Sequence, residues 1–340
     1  MDIAIGKTMK LLILRSTDPY LNLAIEEYLF LNTKEPVFML WQNAASVIIG
    51  KNQNAYAEID REYADAHGIR IARRITGGGA VYHDLGNVNY SYISPDESGQ
   101  TIDFKSFSEP LLRALAALSI PATLSGRNDI EIDGKKISGN AQHRVGTRLL
   151  HHGTLLFDAD TEVMGRVLRP NREKLQTRAI RSVGARVCNL RASYLPDWTK
   201  DQFLDYLAHF IEKEYAAERI EPPEKEEIRV LAQRNASSEW LFPERDLLSE
   251  YTQGIQKRYP FGTVEILLSM RNDRIEKIAI SGDFFGCRSV RELEELLTDV
   301  RLCRVREQLS RCCASDFIFG MQNEELIALL AGNGLASESP

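Results

Sequence analysis

The sequence predicts an α+β protein in two parts, a large β-rich domain followed by a small α+β domain, and three observations carry that expectation. At 340 residues the chain exceeds the size at which a single hydrophobic core usually stops growing. Short runs of strand formers such as VFMLW (37–41) and SVIIG (46–50) recur between stretches of helical spacing through the first part of the chain. Near SSEWLFPERDLLSEYTQGIQKRYPFG (237–262) the periodicity stops and turn residues accumulate. That change marks a linker at 246–258 between a domain of residues 1–245 and one of residues 259–340.

The elements follow in order. Asp18 is placed to cap the first helix, Pro19 suits its first position, and Leu21, Ala24, Ile25, Tyr28 and Leu31 recur at helical spacing. After the two strands, EIDREYADAHG (58–68) reads as a helix closed by Gly68, IRIARR (69–74) as a strand, and NVNYSYIS (87–94) alternates as a half-buried strand does. A helix fits 103–119, with Pro110 as a kink or break. Asp133-Gly134 is a hairpin signal, RLLHHGTLLFD (148–158) a further strand, and helices fit 160–168, 200–215 and 224–234. Beyond the linker, GTVEILLSM and RIEKIAISG flank the turn RND as a hairpin, and VRELEELLTDVR and NEELIALLAG read as helices.

Composition narrows the function classes. Hydrophobic residues make up 44% and charged ones 26%, the balance of a chain that buries a core and stays in water. A net charge of −6 argues against a general nucleic-acid binder, whose footprint is strongly basic. Five cysteines leave one over in any full disulfide scheme and none stands at CxxC spacing, so reduced thiols in a cytoplasmic protein are expected. No 18-residue apolar run occurs, and the apolar run before Arg15 is too short for a signal segment.

The chemistry concentrates in four stretches. RRITGGGAVYHDLGNVNYS (73–91) places Gly77, Gly78 and Gly79 in a row between two strands, although glycine is the residue whose ordering costs most. Either a turn needs positive φ, or the backbone approaches a ligand closely while Arg73 and Arg74 supply charge. There is no Walker A loop and no Rossmann fingerprint, and the run leads into a strand, so no helix N-terminus assists anion binding. His83 and Asp84 are adjacent and point to opposite faces, which leaves His83 as a donor to a ligand and Asp84 as a Mg2+ ligand or a loop holder.

In GKKISGNAQ (134–142) only one of Lys135 and Lys136 can face a site, where it suits a phosphate or acyl-phosphate; a solvated hairpin tip is the blander reading. The two histidines of HHGT (151–154) point apart, which disfavours a shared metal ion. Residues 166–191 carry eight basic side chains against Glu173 alone. Without helical periodicity, that stretch reads as a loop over an anionic ligand.

In this order, RRITGGGAVYHDLGN, KKISGNAQ, HHGTLL and SVGARVCNL resemble the lipoate-protein ligases. TDPYLNLAIEEYL is similar to the family's first helix, SSEW to the end of its catalytic domain and GDFFG to its small C-terminal domain. The resemblance implies a catalytic domain of the biotin/lipoate ligase type that activates lipoate with ATP and Mg2+ to lipoyl-AMP. The lipoyl group then passes to a lysine on lipoyl domains of 2-oxoacid dehydrogenase E2 subunits or on glycine-cleavage H protein. It implies Lys136, not Lys135, as the reactive-site lysine, and Arg73, Thr76, Gly78, Gly79, Val81, His83, Ala141 and His152 along the acyl-adenylate. Asn128, Asp129, Ser182, Val183 and Arg186 would lie near the nucleotide, with Asp129 as a Mg2+ ligand.

A monomer without nucleic-acid or membrane partners is expected, whose C-terminal domain rotates between activation and transfer. Two other readings stay open: a same-fold octanoyl or lipoyl transferase using a cysteine thiolate, for which Cys188 is the first cysteine in the chain, and a non-catalytic binder of lipoate or of a lipoyl domain.

Overall fold

The computed structural model describes residues 9–95, 103–126, 128–168, 187–243 and 248–332. Its strands are β1 (Lys10–Ile13), β2 (Val37–Trp41), β3 (Ser46–Ile49), β4 (Arg70–Arg73), β5 (Val81–His83), β6 (Asn87–Pro95) and β7 (Thr123–Ser125). These are followed by β8 (Asp129–Ile132), β9 (Lys135–Val145), β10 (Arg148–Leu156), β11 (Glu218–Ile220), β12 (Gln253–Tyr259), β13 (Gly262–Arg271) and β14 (Arg274–Gly282). The longer helices are α1 (Pro19–Asn32), α2 (Phe104–Ala117), α3 (Lys200–Tyr215), α4 (Glu226–Ala236), α5 (Val290–Leu297) and α6 (Asn323–Gly332).

Eight strands form one mixed sheet in the order β11-β1-β2-β6-β10-β9-β8-β7. Both faces of its centre are buried, and the period-two alternation of the strands divides the side chains between them. Phe38, Leu40, Tyr90 and Leu155 join Leu111 of α2 and Phe203 of α3 in one core. Met39, Trp41, Ile93 and Leu150 join Leu23, Ala24 and Phe30 of α1 in another. Helix α1 begins as its sequence foretells, since Asp18 accepts hydrogen bonds from the amides of Tyr20 and Leu21 and Pro19 occupies the first turn.

A second sheet, β4-β3-β5, pairs β3 with β4 in parallel and with β5 antiparallel. Because β4 and β5 flank β3, the glycine run joining them must cross the end of β3. Three local expectations change. The single helix of 58–68 is two short ones, Ala55–Glu58 and Arg61–Ala66, because Asp60 caps the second by accepting from the Tyr63 amide. Helix α2 runs through Pro110 without a break. Within the stretch expected as a linker, Gln253–Tyr259 is strand β12, paired along its length with β13.

Strands β12-β13-β14 form an antiparallel sheet whose Val264, Ile266 and Ile280 pack with Leu293 and Leu297 of α5 and Leu326 and Leu330 of α6. This small unit docks on the large one through the turn after β14. The Gly282 amide donates to Asn52 O at 2.9 Å, and the Phe284 carbonyl accepts from Gly78 N at 3.3 Å. The Phe285 ring lies 5.5 Å from that of Phe104 and clusters with Ala141. Among the described residues no helix is long and apolar enough to cross a membrane.

Candidate active site

The glycine run meets several separate demands. Gly50, just past β3, would place a Cβ 2.0 Å from the Gly78 carbonyl oxygen, so the crossing strand end and the glycine segment touch backbone to backbone. A Cβ on Gly77 would lie 2.3 Å from Phe284 O of the C-terminal unit. Gly78 has φ +92°, a backbone region that disfavours side chains. Gly79 meets nothing within 4 Å and lines a partly open cavity of about 110 Å³.

Arg74 holds this segment in place. Its Nη2 donates to Gly77 O at 2.7 Å and Gly79 O at 2.9 Å, its Nη1 to Ile48 O at 3.1 Å, and its Nε to the Thr76 hydroxyl at 2.9 Å. The fork of guanidinium donors thus ties the glycine carbonyls to the end of β3. Complete burial pulls the pKa of Arg74 down to about 10, against the opposing influence of Glu26, so the group is charged at neutral pH.

Arg73, expected along the acyl-adenylate, is not on the cavity wall. Its Nη1 donates to Gln53 O at 2.7 Å, its Nη2 to Leu241 O at 2.7 Å and its Nε to Trp240 O at 3.0 Å, while the Trp240 indole returns a bond to Arg73 O. Neighbouring side chains on a strand face opposite ways, and here it is Arg74 that faces the cavity. Arg73 instead clamps β4 to the SSEW turn.

The same alternation sorts the lysines. Lys135 is exposed, whereas Lys136 reaches the cavity with its Nζ 2.8 Å from Asp129 Oδ1, both side chains about one-third exposed (35% and 34%). A Cβ on Gly139 would stand 2.7 Å from Lys136 Nζ, so the glycine of SGNA is what lets the ammonium lie flat along β9. Asn128 also borders the cavity and is bound to Asn140 O, while Asn140 Nδ2 returns a bond to Asn128 O at 2.9 Å. Asp129 itself is not on the wall; it holds Lys136. Cys188 N donates to Lys136 O at 2.9 Å, which brings the start of the described chain after residue 186 alongside the lysine.

His151 and His152 diverge as expected. His151 enters the core with Tyr90, Phe104 and Phe107, where burial pushes its pKa down to about 3. His152 lines the cavity, with Nδ1 2.8 Å from Glu26 Oε1 and Nε2 2.8 Å from the Thr76 hydroxyl. Glu26 also accepts from Ser91 Oγ at 2.5 Å, and Ser91 accepts from the Trp41 indole at 2.9 Å. Thr76 therefore acts behind the wall, between Arg74 and His152.

Glu26 was not among the expected site residues. Its signal was present nonetheless: it shares a helical face with Leu23 and Phe30, so a carboxylate interrupts the buried stripe of α1.

His83 and Asp84 also separate. His83 is buried on the cavity wall with Nδ1 3.1 Å from Asn43 Nδ2; burial, with Arg74 and His152 nearby, pushes its pKa down to about 3. Asp84 turns away and accepts from the amides of Gly86 and Asp160, each at 2.8 Å. Val81 and Ala141 complete the expected wall. Ser182, Val183 and Arg186 lie outside the described residues, as does most of the basic stretch 166–191. Cys188 is not on the wall; its sulfur is 3.2 Å from Ser193 Oγ and packs against the large core. Among the described residues no group of three His, Cys, Asp or Glu side chains is arranged to hold a metal ion.

Comparison with known proteins agrees with this architecture. Residues 18–212 match the family described as "Lipoyl protein ligase A/B catalytic domain", and residues 249–330 match "Bacterial lipoate protein ligase C-terminus". Lipoate-protein ligase LplJ of Bacillus subtilis is 37% identical over 316 residues, which cover 89% of this chain and 91% of that one. Lipoate-protein ligase 1 of Staphylococcus aureus is 34% identical over 322 residues, covering 93% and 97%.

Among solved structures, P. falciparum LipL1 in complex with lipoate superposes with a TM-score of 0.73 at 25% identity, over 89% of this chain and 93% of that one. A lipoate-protein ligase A bound with ATP gives 0.59 at 26% identity, over 69% of this chain and 99% of its own. Fold and cavity together define a lipoyl ligase catalytic domain carrying a C-terminal unit. The chain belongs to the lipoate-protein ligase family and is a ligase enzyme.

Proposed function

We propose that this protein activates lipoate with ATP to lipoyl-AMP and transfers the lipoyl group to a lysine of an acceptor protein. The observation that carries the reading is the Lys136 ammonium on the wall of a cavity that the glycine segment also lines, with open space over Gly79. In the first step a lipoate carboxylate oxygen attacks the α-phosphorus of ATP and pyrophosphate leaves. In the second, the acceptor amine attacks the acyl carbonyl, AMP leaves, and the amine proton is lost.

Negative charge grows on the phosphate and carbonyl oxygens in both steps, and Lys136 stabilises it. A preorganised donor of this kind is worth about 3–4 kcal/mol of barrier. Lys136 rests against Asp129 before substrate arrives, so it is aimed without being spent on a fully buried pair. Gly78, Gly79, Val81, Ala141, His83 and His152 line the acyl chain in this reading, with Arg74 taking the place expected of Arg73 as the arginine at the wall.

Mg2+ is usually held by one or two carboxylates together with substrate phosphates, and Asp129 beside Lys136 suits that arrangement with the nucleotide's own oxygens. When bound it would neutralise phosphate charge. Ser182, Val183 and Arg186 would belong to the segment covering the adenylate.

One structural relative is an archaeal bipartite lipoate protein ligase studied with its E2 lipoyl domain, which supports lipoyl domains as acceptors. Lipoyl domains of 2-oxoacid dehydrogenase E2 subunits and H protein are the acceptors of this reading. A cytoplasmic monomer completes the proposal. The test is lipoate-dependent AMP release from ATP by the native protein and by Lys136→Ala. AMP that disappears in the variant supports the reading. No AMP from the native protein, with acyl transfer from an octanoylated donor still proceeding, assigns a cysteine transferase instead.

A further inference from the structure

The cavity has two chemically different ends. Register runs from Trp41 on β2 to Asn89 on β6 to Thr154 on β10, and the Thr154 hydroxyl accepts from Gly139 N on β9, against which Lys136 Nζ lies. Three inter-strand spacings therefore separate the Trp41 end from the Lys136 end, roughly 14 Å across the sheet. A carboxylate held at Lys136 sends an extended acyl chain toward Trp41, Leu23 and Ile48, where Arg74 and His152 are bonded within the wall itself and two other polar groups are left over.

Those two groups are buried donors without partners among the described residues. Asn89, 1% exposed, accepts from Asn87 Nδ2 at 2.7 Å through its Oδ1, and its Nδ2 has no partner. His83, 4% exposed and edge-on to the Trp41 ring at 6.1 Å, has no partner for Nε2. Its proton can be assigned along a chain of amides. Asn22 Nδ2 shares its two hydrogens among three acceptors, the carbonyls of Ser16 and Gln42 at 2.9 Å and Asn43 Oδ1 at 3.0 Å, so it is an oxygen of Asn43 that faces it. Asn43 must then present its Nδ2 to His83 Nδ1, which leaves the hydrogen of the neutral ring on Nε2, facing the cavity. The Trp41 indole is already spent on Ser91.

A buried donor left unpaired is costly, and a site that carries one discriminates against ligands that offer it nothing. The distal end of lipoate is a dithiolane with two sulfur acceptors, weak but polarisable; the end of a plain fatty acid has none. We infer that Asn89, together with His83, is a specificity-determining residue that selects a sulfur-bearing ring over an alkyl terminus at the far end of the acyl cavity. This rests on the ligase reading above.

The test compares kcat/KM for AMP release with lipoate and with its carbocyclic analogue, in which methylenes replace both sulfurs of the ring. The native enzyme should prefer lipoate by roughly tenfold. Asn89→Val, which removes the donor, should bring the ratio close to one, and Asn89→Ser, which keeps a donor, should retain part of it. Equal use of the two acids by the native enzyme overturns the inference even if the valine variant does not fold, and so does a full preference surviving in Asn89→Val. Adenylation of neither acid by the native protein overturns the ligase reading, and this inference with it.

Discussion

Gly77→Ala should loosen the C-terminal unit from the catalytic domain while leaving each folded. An alanine Cβ there would lie 2.3 Å from Phe284 O and 3.1 Å from Phe285 Cα, and both obstacles are backbone, so no side chain can rotate away. Gly77 is not among the positive-φ positions, so the substitution adds a clash without adding backbone strain. Overpacking of this kind costs about 1–3 kcal/mol. The two backbone hydrogen bonds at the same contact, Gly78 N to Phe284 O and Gly282 N to Asn52 O, contribute about 0.5–1.5 kcal/mol each.

The clash is as large as these bonds together, so it leaves the docked state held mainly by the Phe285 ring against Phe104 and Ala141, and that state should open more often. Amide exchange at Gly78 and Gly282 should accelerate by about ten- to a hundredfold, and solution scattering should report a larger radius of gyration. Gly79→Ala is the control, since its Cβ meets nothing within 4 Å and docking should persist. Unchanged exchange and scattering in a folded Gly77→Ala protein would refute the argument.

Other outcomes follow from the same structure. Burial holds His83, His143 and His151 neutral in the folded chain, each with its pKa lowered to about 3. The unfolded chain therefore binds more protons below the ordinary histidine value of 6.5; stability is fully present above it and is lost as pH falls toward 3, with a slope of up to about 4 kcal/mol per pH unit. Urea unfolding at pH 7, 6 and 5 measures this, and a flat profile would count against it. Glu26→Gln leaves one oxygen where two accept from His152 and Ser91, and should cost about 1–3 kcal/mol in the same unfolding assay; no loss would show that the network holds nothing. A non-hydrolysable lipoyl-AMP analogue should change the scattering profile if the C-terminal unit rotates between activation and transfer, and identical profiles would exclude that movement.

Much of the fold was legible because its signals are local. Asp18 and Pro19 open a helix, VFMLW is a strand, and Asp133-Gly134 makes its hairpin turn with φ of +51° and +73°, whatever lies across the molecule. Strand alternation also announced that just one lysine of KK and one histidine of HH would face a site. It could not say which face was the cavity, and for the arginine pair the resemblance pointed to Arg73 where the wall holds Arg74. Glu26 was hidden for another reason: its meaning comes from His152, 126 residues away.

The sequence by itself determined most of the longer helices and strands, the clustering of basic and glycine-rich motifs, and a family resemblance that the comparisons bear out. Those features rest on dihedral preference, capping and hydrophobic period, each set within a few residues. Only the tertiary structure decided that Gly77 yields to the Phe284 carbonyl while Gly79 opens on the cavity, and that Asn89 and His83 present donors to its far end. These are contacts between segments distant in the chain, and no local preference encodes which surfaces will meet or which polar atoms will be left without a partner when they do.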